Sequence, residues 1–144
     1  MNIIEKYEHV GEGYNPFLVG PKWQIAQLNY SVEESLERKN RLDVHNLTDE
    51  AFLLIEGEAV LVAALIIHDE ISYDIKRMKP GEVYNIPKKV WHNIVLTQGA
   101  KVMIMEDANT HLPLPEGDYE FFYFSAWQKE VFVQKVKNEF NNKN

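Results

Sequence analysis

From residue 49 to residue 106 the chain is a series of short apolar stretches separated by turn residues. Ala51–Ile55 and Glu58–Ile67 predict strands split by a turn at Glu56-Gly57. His68-Asp69-Glu70 predicts a hairpin tip, with Ile71–Met78 as the returning strand. Lys79-Pro80-Gly81-Glu82 puts Pro ahead of Gly, the chemistry of a tight turn. Val83–Ile86, His92–Leu96 and Lys101–Glu106 predict further short strands. Upstream, Trp23–Ser31 alternates, with Trp23, Ile25, Gln27 and Asn29 opposed to Gln24, Ala26, Leu28 and Tyr30, and reads as a strand. The first 22 residues are Gly- and Pro-rich and predict a loop with at most a short strand, and Glu33–Lys39 predicts a loop or one helical turn.

The period changes after residue 106. Asp107–Gly117 carries Pro113, Pro115 and Gly117 and predicts a loop. Tyr119–Phe124 is aromatic on both faces, which suits packing under a helix. Ser125 is placed as an N-cap with Gln128 at the capping-box position. Phe132, Val136 and Phe140 then recur at helical spacing along Ala126–Asn141. Short strands at regular spacing followed by one helix predict an all-β barrel or sandwich with a C-terminal α-helix.

Composition narrows the function classes. A chain of 144 residues suits one domain, long enough to bury about 68–70% of its unfolded surface without a staple. Cysteine is absent, which excludes disulfides, thiolate zinc sites and thiol nucleophiles and fits a reducing, cytoplasmic setting. The net charge of −7 gives no basic face for nucleic acid. The first residues lack the apolar core of a signal peptide, and the longest apolar run, Ala59–Ile67, is too short to span a membrane. No Gly-x-Ser-x-Gly or phosphate loop occurs.

Candidate chemistry lies in two blocks. The first runs Asp43-x-His45, then four residues to Glu50 and six to Gly57; the second runs Gly81, five residues, Pro87, and four more to His92. Alternate strand residues share a face, so Asp43 and His45 can both point into a barrel. Glu50 shares its face with Phe52 and Leu54, and His92 shares its face with Ile94 and Leu96. Two imidazoles with one or two carboxylates on converging strands suit Mn, Fe, Co, Ni or Zn.

Over residues 41–106 these blocks resemble the two motifs of the cupin superfamily, in which a Gly precedes His-x-His, Glu and Gly, and Gly precedes Pro-x-Gly, His and Asn. His45, Glu50, Gly57, Gly81, Pro87 and His92 fall on register. Glu37 stands where the opening Gly is usual, Asp43 where the first His is, Lys89 where the second Gly is, and Leu96 where the closing Asn is. The resemblance implies a double-stranded β-helix, jelly-roll-like, with its barrel over about residues 23–106 and the aromatic segment and helix over 119–141 outside it. It implies a divalent metal held by His45, Glu50 and His92, with Asp43 as a possible fourth ligand. Gln27, Asn29, Phe52, Leu54 and Ile94 are the candidate lining of the pocket.

Three readings follow. One is a metal-dependent enzyme acting on a small polar molecule such as a sugar, keto acid or amino-acid derivative. Another is a non-catalytic small-molecule binding or sensing module, towards which Asp43 in place of a His is a step; a structural dimer with a vestigial site is a third. Surplus aromatic residues, Trp23 and Trp91 among them, predict a homodimer paired through the outward face around Trp23. His9, His68 and His111 are read as loop residues without a role.

Overall fold

The computed structural model describes all residues except Asn2, Leu114, Glu116, Lys143 and Asn144. Its strands are β1 (Gly13–Val19), β2 (Trp23–Asn29), β3 (Arg41–His45), β4 (Glu50–Glu56), β5 (Ala59–Ile67), β6 (Glu70–Arg77), β7 (Val83–Ile86), β8 (Trp91–Leu96), β9 (Lys101–Asp107) and β10 (Tyr119–Tyr123). Among the described residues one α-helix, α1, spans Ala126–Asn141, and two short 3-10 turns cover Val32–Glu34 and Leu36–Arg38.

The strands form two five-stranded antiparallel sheets. The first has the order β1-β2-β9-β4-β7 and the second β10-β3-β8-β5-β6. The chain changes sheet at every connection except β1–β2 and β5–β6. This is the jelly-roll-like barrel that the resemblance implies, with β1 and β10 added as edge strands. Pro16 lies in edge strand β1, beside a shift of register between Pro16 and Leu18, where a missing N–H costs the sheet little.

Turn chemistry sets the registers. His68 and Asp69 both take positive φ, 53° and 63°, and form the two-residue loop between β5 and β6. Glu70, expected in that loop, already belongs to β6. Gly57 has φ of 77°, and a Cβ there would come within 2.7 Å of the Ala100 Cα. Only glycine meets both demands at this crossing of the β4–β5 and β8–β9 turns.

Apolar residues bury on both faces of the second sheet. Inside the barrel, Leu28, Phe52, Leu54, Leu61, Ile94, Leu96, Val102 and Ile104 form one cluster. Outside it, Leu42, Val60, Val62, Ala64 and Val95 pack against Phe132 and Val136 of α1. The helix begins with the expected capping box, the Ser125 hydroxyl accepting from the Gln128 N–H and the Gln128 side chain from the Ser125 N–H. Phe122, Phe124 and Trp91 join this outer cluster. The expectation that the whole Tyr119–Phe124 segment packs under the helix needs correction. β10 is a pleated strand, so Tyr119, Phe121 and Tyr123 face the other way, and Tyr119 turns towards the barrel mouth. Among the described residues no helix is long and apolar enough to cross a membrane.

Candidate metal centre

Five elements bring polar side chains to one end of the barrel. His45 ends β3, Glu50 begins β4, His92 is the second residue of β8, Glu106 lies near the end of β9, and Gln24 lies near the start of β2. Register completes the arrangement. Glu106 stands opposite Gln24 on one side and Glu50 on the other, and His92 stands opposite Asp43. His45, Glu50, His92 and Glu106 are all buried.

His45, Glu50 and His92 each offer a donor atom, and these atoms all lie within 4.8 Å of one another. His45 Nε2 is 3.2 Å from Glu50 Oε2, and His92 Nε2 is 3.2 Å from Glu50 Oε1. The far nitrogen of each ring is engaged elsewhere. His45 Nδ1 is 2.5 Å from Asp118 Oδ1, while Asp118 Oδ2 accepts the Leu47 N–H at 2.6 Å. His92 Nδ1 is 3.0 Å from the Val90 carbonyl, which can only accept. Both rings therefore carry their proton on Nδ1 when neutral and turn the Nε2 lone pair into the site. This is the outer support that metal-ligating histidines use, an acceptor fixing tautomer and ring orientation. His45 Nε2 is buried without a hydrogen-bond partner of good geometry, as is Glu106 Oε2, 3.4 Å away.

Electrostatics follow from this crowding. Burial alone would lower the His45 pKa, but Glu50, Asp118 and Glu106 outweigh it and hold the imidazole at about 9. His92 is raised in the same way, burial being outweighed chiefly by Glu50. Burial would raise Glu50, but its two histidine partners hold it well below the usual carboxylate range. Glu106 is pushed up to about 8 by burial and by the neighbouring Glu50. Without an ion, the site holds its balance with protons. A divalent cation would replace those protons at the same lone pairs, so the donor set fits the metal that the motif implies.

The remaining expected site residues divide. Asp43, Phe52 and Ile94 line a cavity of about 390 Å³ that opens from the site, together with Arg41, Asn93 and Tyr119. Asp43 stands outside the cluster of three, and its Oδ1 accepts from Arg41 Nε at 2.9 Å. Leu54 lies deeper, in the apolar cluster. Gln27 and Asn29, expected to line the pocket, do not. They share the outward face of β2 with Trp23, donate to the backbone carbonyls of His9 and Gly11, and tie the N-terminal segment to the sheet.

Five residues of this region went unassigned in the sequence. Glu106 and Gln24 had a signal, since each continues the apolar face of its strand, Val102–Ile104 and Ala26–Leu28. Asp118 and Tyr119 had none, because their contacts with His45 span more than 70 residues. His111, read as a loop residue, lines the cavity and bonds Gln24.

At the level of sequence, no family model matches the chain and no curated protein matches it. Solved structures share its fold. BH2720 from Bacillus halodurans is 16% identical, with a TM-score of 0.54 over 67% of this chain and 70% of that one. CapF from Staphylococcus aureus, a capsular polysaccharide assembling protein, is 18% identical, with a TM-score of 0.55 over 81% of this chain but 31% of its own length. A cupin-2 domain containing protein from Shewanella frigidimarina is 22% identical, with a TM-score of 0.45 over 67% of this chain and 83% of that one. The likeness to BH2720 and CapF shows the fold alone, an all-β, jelly-roll-like barrel with a C-terminal helix. Within this barrel the donor atoms of His45, Glu50 and His92 come together.

Proposed function

We propose that this barrel is a cupin, a metal-dependent enzyme acting on a small polar molecule, with His45, Glu50 and His92 holding the ion. The observation that carries the reading is the pair of imidazoles whose Nδ1 atoms are engaged by Asp118 and Val90 and whose Nε2 atoms converge on Glu50. Mn, Fe, Co, Ni and Zn all suit two imidazoles and a carboxylate, and three protein ligands leave positions open for substrate. A bound ion of this kind supplies polarisation of a substrate oxygen or, for a redox metal, oxygen chemistry.

The protein's own groups then define the rest of the site. The cavity volume matches a small molecule. Arg41 and Tyr119 offer donors towards the mouth, and Phe52 and Ile94 form the apolar wall. This mix suits a sugar, a keto acid or an amino-acid derivative. The Arg41 guanidinium lies 3.9 Å from the Phe121 ring centroid and bonds Asp43, so it is preorganised rather than free in solvent.

One observation favours the rival reading, a binding or sensing module. Asp43, at the place of the superfamily's first His, is engaged by Arg41 and shapes the pocket wall. Metal-free and metal-reconstituted protein, screened against a panel of sugars, keto acids and amino-acid derivatives by calorimetry and by NMR of the products, separates the two. Turnover confined to the reconstituted protein supports the enzyme. Ligand binding of equal strength with and without metal, and no turnover, supports the module.

The dimer is also part of the proposal. The outer face of the first sheet carries Trp23, Ile55 and Val83, all exposed, and α1 lies on the opposite sheet. A second copy about a two-fold axis would cover that face.

A further inference from the structure

Glu106 combines features that neither the motif nor its spacing assigns. Its Oε1 is fixed by two donors, Tyr14 Oη at 3.0 Å and Gln24 Nε2 at 2.9 Å. Its Oε2 is buried and accepts no hydrogen bond, although it lies 3.4 Å from His45 Nε2. Its side chain is only 2% exposed, so water does not satisfy that oxygen from outside. Leaving such an oxygen unpartnered is costly in a protein interior.

Glu106 also stands opposite Glu50 across the β4–β9 pair. Two buried carboxylates facing each other repel unless a cation lies between or beside them. Asp118 adds a third acidic group on the far side of His45. Three carboxylates thus crowd around the His45 ring, and buried charge of this kind is normally paired or bound to metal.

Asp43 does not compete for the role. Its Oδ1 already accepts from Arg41 Nε at 2.9 Å, whereas Glu106 Oε2 accepts no hydrogen bond. We propose that Glu106, from the last barrel strand, supplies the fourth protein ligand of the metal centre in place of Asp43. This rests on the reading of His45, Glu50 and His92 as metal ligands. Glu106 is not among the atoms that lie mutually within 4.8 Å, so its free oxygen must move towards the ion. The movement breaks no hydrogen bond, because Oε2 accepts none. Tyr14 and Gln24 act as positioning residues that hold the other oxygen.

The test is a titration of metal-free protein with Co(II), reading both affinity and visible absorption, for wild type, Glu106→Gln, Glu106→Asp and Asp43→Asn. Glu106→Gln keeps the shape and an acceptor for Tyr14, and it is expected to weaken Co(II) binding about 10–100-fold and to change the absorption bands, as loss of a ligand requires. Asp43→Asn is expected to bind within about threefold of wild type, the accuracy that separates it from that loss, with unchanged bands. Circular dichroism of the metal-free proteins checks folding; if Glu106→Gln fails to fold, Glu106→Asp, whose oxygen is retracted by one methylene, carries the same expectation. Glu106 variants that keep wild-type affinity and bands overturn the assignment, as does a loss confined to Asp43→Asn. Wild type that binds no Co(II) overturns the metal reading itself, a distinct outcome.

Discussion

The two halves of the barrel interior are built from the same strands and have opposite chemistry. Along β2 the inward residues run Gln24, Ala26, Leu28; along β4, Glu50, Phe52, Leu54; along β8, His92, Ile94, Leu96; and along β9, read backwards, Glu106, Ile104, Val102. Each strand goes from polar to apolar within two steps of the pleat. At the apolar end, cohesion is non-directional and depends on filling space. At the polar end, every group needs a partner at a fixed distance, and His45 Nε2 and Glu106 Oε2 still lack one. One half holds the barrel shut, and the other gathers buried imidazoles and carboxylates at one end.

That contrast can be broken from the apolar side most easily. Phe52 is fully buried, and its ring meets the His92 ring edge-to-face at 6.3 Å between centroids. Phe52→Ala should cost about 3–5 kcal/mol of folding stability in urea unfolding. A near-neutral change would mean that the ring does not belong to the barrel core.

From the polar side the effect should appear in metal affinity more than in folding. Asp118→Asn removes the carboxylate that holds His45 Nδ1. Zn(II) affinity, read by competition with a chromophoric chelator, should fall about 10–100-fold, the usual cost of losing such support. Unchanged affinity would show that Asp118 does not orient a ligand.

The pH dependence should separate the halves next. His45 is held at about 9 against an ordinary 6.5, so its contribution to metal-free stability is complete below pH 6.5 and is lost as pH rises through 9. Glu106, raised from 4.5 to about 8, acts in the same direction, its contribution fading from pH 4.5 up through 8. Metal binding needs those same groups deprotonated. Between pH 6.5 and 9 the metal-free Tm should therefore fall while the increment given by Zn(II) grows. An increment that shrinks with pH would mean that the titrating groups are not the ligands.

The smallest effect should come from outside both halves. Trp23 is 53% exposed on the outer face of β2. Light scattering should give twice the 16.8 kDa chain mass, and Trp23→Ser should shift it towards one chain with metal content unchanged. A monomer mass for wild type would remove the second copy from that face.

Much of this contrast was legible in the sequence wherever alternation was clean. The β4 and β8 faces, the turn at Gly57 and the capping box of α1 lie where the pattern puts them. Glu50 and His92 could be read because their spacing to Gly57 and Gly81 is fixed by turns. Gln27 and Asn29 show that parity outranks polarity: the alternation of β2 puts them with Trp23 on its outside, where they bond the N-terminal segment. β10 was hidden because aromatic residues occupy both of its faces, leaving no period to read. The support of His45 by Asp118 depends on pairing β10 with β3, a long-range contact that no local pattern encodes.

The central claim is that the polar half holds a divalent ion at His45, Glu50 and His92. The most direct measurement is elemental analysis of untagged protein, as purified and after dialysis against Mn, Fe, Co, Ni and Zn salts, beside His92→Ala. The account predicts close to one equivalent of one of these metals in wild type and its loss in His92→Ala. Wild type that carries none and takes up none would contradict it.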